Sequence, residues 1–191
     1  PILNNMNAPS PSSGPFHTDE LAAQALAQQS SRGTGIRSFM PDQHREFFAG
    51  LPYLFMATAD CQGWPVASLV SGAPGFVRVV NDTTLQFPDA LGNNRLDSFT
   101  NIVETKRIGM IFLVPGMDET LRINGTAKLR DDEELLREFP HEKHPPRLVV
   151  EISIEEAYLH CAKALMRSKL WAPDYRIDRA LFPSMGQMIR D

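Results

Sequence analysis

Cysteine is nearly absent from this chain: Cys61 and Cys161 are the only two in 191 residues. Two distant thiols make no disulfide framework, and they are expected to stay free in a reducing cytoplasm. No apolar run approaches the roughly 20 residues of a membrane-spanning helix. There is no basic surplus either. Nineteen Lys and Arg face 23 Asp and Glu, giving a formal charge of −4 and a pI of about 5.7. Charge therefore points to neither nucleic acid nor a membrane surface. The opening PILNNMNAPSPSSGPF has neither the basic start nor the apolar run of a secretory signal.

Several catalytic signatures are missing as well. There is no Walker loop and no G-x-S-x-G elbow. His141-Glu142-Lys143-His144 has one residue too few between its histidines for a zinc helix, and Pro145-Pro146 would end any helix there. His160-Cys161 has no second ligand pair at metal spacing. Gly33-Thr34-Gly35 follows no strand and lacks the third glycine of a dinucleotide fingerprint. No carboxylate pair is placed for acid/base work, so an enzyme built on this chain needs a cofactor for its chemistry.

What is present reads as one β-rich domain with extensions. Residues 1–35 are expected to be an arm plus a helix from Thr18 to about Gln29, residues 36–172 the domain, and residues 173–191 a tail. PDQHREFFAG (41–50) opens with Pro and closes with Gly, the asymmetry of a short helix, with Phe47 and Phe48 as its anchors. YLFMATAD (53–60) is apolar on both faces and predicts a buried strand. It returns through a turn into the strand from Pro65, and a second hairpin turns about Asn81-Asp82. RIGMIFLV (107–114) is a near-continuous apolar run and predicts a central strand. Leu121, Ile123, Ala127 and Leu129 alternate with polar residues, as on a half-buried strand. Asp131 to Phe139 predicts a short helix, and Leu148 to Ile154 the last strand, followed by a turn and short helix in HCAKALMRSKLW. Consecutive hairpins with one long strand favour a small barrel over a sandwich.

The stretch with chemistry in it is TLQFPDALGNNRLDS. Pro88 ends a strand because it cannot donate to the ladder. Asn93-Asn94-Arg95 then opens a helix whose apolar face is expected at Leu96, Phe99, Ile102 and Val103. A helix start carries unpaired N–H groups and partial positive charge. Two amides and a guanidinium there make a cradle for a phosphate. The alternative is that Asn93 caps the helix and Arg95 is a solvated charge.

Taken in order, LPYLFMATAD-x-x-G-x-P, PGF, TLQFPDALGNNRLDS-x-x-NI, GMIFLVPG-x-x-ETLRINGTA and HCAKAL-x-RS-x-LW resemble the FMN-binding split barrels, in the branch related to pyridoxamine 5′-phosphate oxidase. The resemblance spans roughly residues 40 to 172. It implies a mainly β fold, a six-stranded antiparallel split barrel with peripheral helices. It also implies a homodimer with FMN at the subunit interface, working with a small-molecule substrate or NAD(P)H. Carried over, the strand from Ser68 through Val70 to Ser71 lies along the flavin and ribityl chain. Pro88 and Asp89 stand where the family's oxidases present backbone and a hydroxyl. Asn93, Asn94 and Arg95 match the phosphate-gripping run, and Thr120 takes the place of a glutamine on the flavin ring. The chain departs from the pattern at Ser68, where the oxidases carry Arg, and at Asn94, where they carry a second cation. Arg122, Lys163 or Arg167 would compensate. Lys163, Arg167, Ser168 and Trp171 are expected near the cofactor or substrate mouth, and Phe87, Trp64 or Trp171 along the ring slot. Truncating Arg95 to Ala is expected to weaken FMN binding by about 2–3 kcal/mol, the scale of a charge-assisted hydrogen bond. The activity implied is that of an FMN-dependent oxidoreductase. The alternative on the same barrel is a non-catalytic flavin- or haem-binding module, with a deazaflavin-using protein as a third reading.

Overall fold

A computed structural model describes residues 35–89, 95–139 and 145–190. The expected helix at Thr18 lies outside the described residues, as does the 90–94 part of the phosphate loop.

Among the described residues, helix α1 (Asp42–Ala49) comes first, with Pro41 at its N-cap and Gly50 at its C-cap. Seven strands follow: β1 (Tyr53–Ala59), β2 (Pro65–Ser71), β3 (Arg78–Asn81), β4 (Thr84–Pro88), β5 (Arg107–Leu113), β6 (Thr120–Arg130) and β7 (Val149–His160). Helix α2 (Asp97–Thr105) lies between β4 and β5, α3 (Glu133–Arg137) between β6 and β7, and α4 (Lys163–Ser168) after β7. The tail holds two 3-10 turns, Pro173–Tyr175 and Arg179–Leu181, and the single turn α5 (Met185–Met188).

All pairings are antiparallel, in the order β2-β1-β5-β6-β7-β4-β3. Among the described residues the sheet has seven strands rather than six, with β3 of the hairpin about Asn81-Asp82 at one edge. Inward side chains of β1, β4, β5, β6 and β7 share one apolar cluster with Phe47 and Phe48 of α1. The Phe48 ring meets Phe112 edge-on, centroids 5.0 Å apart. One core served by strands across the whole sheet means that the sheet wraps around it.

The last strand runs six residues beyond the expected Ile154. Glu155 and Glu156 break the apolar alternation, which reads as a strand end. In the fold the register shifts there: Asn124 faces Glu156, while Gly125 faces Ile154. The extra residue, Glu155, is a bulge, after which Ala157 returns to the core, fully buried. The backbone crowds at this point. A Cβ on Gly125 would lie 2.1 Å from the Ser153 carbonyl oxygen, so only glycine fits.

Strand β1 departs from its expectation in a useful way. Its inward residues Leu54, Met56 and Thr58 are buried, but its outward Phe55 is 46 % exposed. The outward face carries an apolar row, Leu69 to Phe55 to Ile111, which continues to Arg122 and Tyr158.

Candidate functional site

The site is built where α2 meets β2. Helix α2 is pinned by polar contacts as well as apolar ones. Asn101 Nδ2 donates to Thr58 Oγ1 at 3.1 Å, with both residues buried. Thr105 Oγ1 donates to the carbonyls of Ala59 (3.0 Å) and Asn101 (2.9 Å). Its buried face is therefore Ser98, Asn101 and Ile102. The expected apolar face holds only in part: Phe99 is half-buried, while Leu96 and Val103 are 58 % and 66 % exposed. Hydrogen bonds to β1 rotate the helix away from its most apolar side.

The N-cap position belongs to Leu96, which supplies no side-chain cap. The helix thus starts after the Asn93-Asn94-Arg95 run instead of on it. Asn93 and Asn94 lie outside the described residues. At this start the first-turn N–H groups and the macrodipole favour an anion, the first turn supplies Ser98, and the residue just before the N-cap is Arg95. Ser98 is buried, and its Oγ lies 2.8 Å from Ser68 Oγ across the gap to β2. Arg95 is exposed and holds Asp97 in a fork, Nε at 3.0 Å and Nη2 at 2.8 Å from the same carboxylate oxygen. The guanidinium is thus partly neutralised by its own helix. Ser98 escaped the sequence reading because it occupies a position that the apolar pattern skips. A small polar residue in the first turn of an amphipathic helix was the available signal.

The other expected residues fall into two groups. Val70 is inward and half-buried, packed on the core, and Ser71 ends β2 opposite Tyr53, facing out. Pro88 closes β4 opposite Val149, and the Asp89 N–H is already taken by the Leu148 carbonyl at 2.8 Å. Burial pushes the Asp89 carboxyl above its usual pKa, with the Arg147 charge working against that shift. Thr120 begins β6 between Leu113 and His160 and is buried, and Arg122 faces outward between Ile111 and Tyr158. With β1 and β5 between them, Ser71 and Thr120 stand about 14 Å apart on one face, at roughly 4.8 Å per strand.

The α4 residues turn back on their own helix. Arg167 Nε donates to the Lys163 carbonyl (3.1 Å), and Ser168 Oγ to that of Leu165 (3.0 Å). The Trp171 indole donates to the Met117 carbonyl at 2.7 Å. That bond ties the segment just after α4 to the turn leading into Thr120. Phe87 is corrected: it is 1 % exposed, inside the core, and cannot line a slot. Trp64 is 73 % exposed. A hollow of about 380 Å³ lies elsewhere, on the outward face near Ala57, Pro65, Gly109 and the Arg107–Glu155 ion pair. Among the described residues, no cluster of three or more His, Cys, Asp or Glu could hold a metal, and no helix is long and apolar enough to cross a membrane.

Known proteins resemble this chain mainly in fold. Group A Streptococcus HupZ is 18% identical over 63% of this chain and 93% of its own, with a TM-score of 0.51. A Lactobacillus delbrueckii protein provisionally named as a pyridoxamine 5′-phosphate oxidase is 20% identical over 64% and 95%, with a TM-score of 0.50. A conserved hypothetical protein of Mycobacterium tuberculosis is 12% identical over 80% and 100%, also at 0.50. No curated protein matches the sequence. The family model described as pyridoxamine 5′-phosphate oxidase matches residues 40–161, which takes in every strand and the α2–β2 corner. That span, with a mainly β antiparallel fold shared by its structural neighbours, places the chain in the pyridoxamine 5′-phosphate oxidase family of FMN-binding split barrels.

Proposed function

We propose that this protein is an FMN-binding oxidoreductase, acting in the cytoplasm as a homodimer with the cofactor at the subunit interface. The observation that carries this reading is the α2–β2 corner. That corner is made of a helix start whose N-cap, Leu96, supplies no side-chain cap, the Arg95 cation just before it, and the Ser68–Ser98 hydroxyl pair in its first turn. This donor set fits a phosphate monoester: hydroxyls and backbone N–H groups donate, and Arg95 supplies charge. When bound, FMN supplies hydride chemistry that no side chain here can perform.

The chain's own residues bind and orient. Ser98, on the buried face of α2, positions Ser68 of β2. Asn101 and Thr105 keep the helix start in register with β1. Ser71 and Thr120 would meet the ring end on the outward face, with Arg122 beside them. The apolar row Leu69–Phe55–Ile111 is the surface a second copy would cover, which accounts for β1 and β5 being apolar on both faces.

The visible spectrum of the purified protein tests this directly. Flavin bands, bleached by NAD(P)H without oxygen, support the reading. A protein that takes up no FMN from excess, or that shows a Soret band instead, refutes it. Flavin that no reductant bleaches would leave a carrier, not an oxidoreductase.

A further inference from the structure

Four of the described arginines are half-buried: Arg45, Arg78, Arg122 and Arg130. Three of them hold a carboxylate. Arg45 pairs with Asp42 and Asp82, Arg78 with Glu138, and Arg130 with Asp132 and Glu151. Arg122 makes no hydrogen bond or ion pair among the described residues. A half-buried guanidinium gives up part of its hydration, and an anion is the partner that best makes good the loss.

The surroundings of Arg122 say where that anion comes from. It lies on the outward face between Ile111 of β5 and Tyr158 of β7, both half-buried. Glu156, diagonal to it on β7, already accepts from Asn124 Nδ2 at 2.9 Å. The α2–β2 corner does not use this cation. β1 and β5 separate β6 from β2, about 14 Å at roughly 4.8 Å per strand, and Ser68 faces the other side of the sheet. Thr120, by contrast, shares the face of Arg122 and stands two residues along β6, about 7 Å away. The cation therefore sits beside the ring end of the proposed cofactor, remote from its phosphate.

Charge and shape narrow the ligand. One guanidinium, with the Glu156 carboxylate diagonal to it, suits a single negative charge better than two. The planar fork of Arg matches a carboxylate at two points. Ile111 and the Tyr158 ring add apolar surface on either side. We propose that Arg122 is the substrate anchor of the proposed flavin site, taking the carboxylate of a small organic acid whose apolar body lies between Ile111 and Tyr158. This names the substrate class of that site and rests on the flavin reading.

The experiment titrates the FMN-loaded protein with benzoate, benzyl alcohol and phenyl phosphate, following the flavin visible bands. Benzoate is expected to bind about tenfold or more tighter than benzyl alcohol, the scale of one charge-assisted hydrogen bond, and tighter than phenyl phosphate. In Arg122→Gln the preference for benzoate over benzyl alcohol should collapse, and Arg122→Lys should restore part of it. Using the ratio of two probes on each variant cancels any general change in the protein. Should Arg122→Gln fail to fold, Arg122→Met replaces it, since it keeps an apolar stem. Benzoate binding no tighter than benzyl alcohol, phenyl phosphate binding tightest, or a preference that survives in Arg122→Gln overturns the proposal. So does a variant whose only change, by sedimentation, is a weaker dimer, because Arg122 would then face a second copy. If the protein takes up no FMN, the flavin reading falls by itself. Calorimetry of the flavin-free chain with the same probes then decides the anchor: a carboxylate preference that depends on Arg122 keeps it, and its absence overturns it.

Discussion

Arg95 and Asp97 should act on FMN affinity in opposite directions. The sequence alone suggested a loss of about 2–3 kcal/mol on truncating Arg95, the scale of a charge-assisted hydrogen bond. The structure reduces that figure. The Arg95 side chain is 74% exposed and shares its guanidinium with Asp97, itself 47% exposed. Exposed charge pairs are worth only about 0–1 kcal/mol. A ligand phosphate must also compete with the resident carboxylate. For Arg95→Ala, about 1–2 kcal/mol is expected, a roughly 5- to 30-fold rise in Kd. Asp97→Asn removes the competitor and a repelling charge, so FMN should bind about 3- to 10-fold more tightly, roughly 0.7–1.4 kcal/mol. Riboflavin is the control, because it shares everything with FMN except the phosphate. Flavin fluorescence titrations of both ligands, at low and high salt, separate the effects. The FMN changes should shrink as salt screens the charges, while riboflavin affinity stays constant. If Arg95→Ala leaves FMN binding unchanged, or weakens FMN and riboflavin equally, the phosphate is not held at the start of α2.

Other expectations concern the frame that holds this corner. Gly125→Ala would drive a Cβ against the Ser153 carbonyl, and backbone cannot yield as a side chain can. A loss of about 1–3 kcal/mol is expected from overpacking, seen as a lower denaturant midpoint; an unchanged midpoint would mean that the bulge relaxes freely. Asn101→Ala strands the buried Thr58 hydroxyl and should cost about 1–3 kcal/mol. It should also weaken FMN binding, since α2 loses its register on β1; wild-type stability would argue that the contact is incidental. His44 is buried, its Nδ1 has no partner among the described residues, and burial lowers its pKa. The unfolded chain therefore binds the proton more readily. The contribution of neutral His44 is complete above the unfolded value of about 6.5 and is lost as pH falls below it. Urea melts of the wild type and His44→Leu across pH 7.5 to 5 should show the wild type losing more stability. Parallel curves would contradict the burial argument.

The sequence determined the class of this protein through short-range signals. Period-two alternation, Pro and Gly punctuation and two hairpin turns were enough for an antiparallel β domain. The ordered series of motifs was enough for its family. Arg95 and Ser68 could be named as candidates because each sits inside such a motif. The tertiary structure decided what depends on contacts between distant residues. Ser98 faces Ser68 at the candidate site because α2 is held by bonds from Asn101 and Thr105 to β1, 43 and 46 residues away along the chain. The extension of β7 depended on a bulge that pairing with all of β6 makes worthwhile, which two glutamates in a row disguise. The two apolar faces of β1 suggested complete burial, yet one chain covers only one of them. Periodicity records that a face is to be hidden, because apolar surface is costly in water whatever hides it. Whether the cover comes from the same chain or from another copy is a matter of three-dimensional arrangement, which a pattern along the chain does not encode.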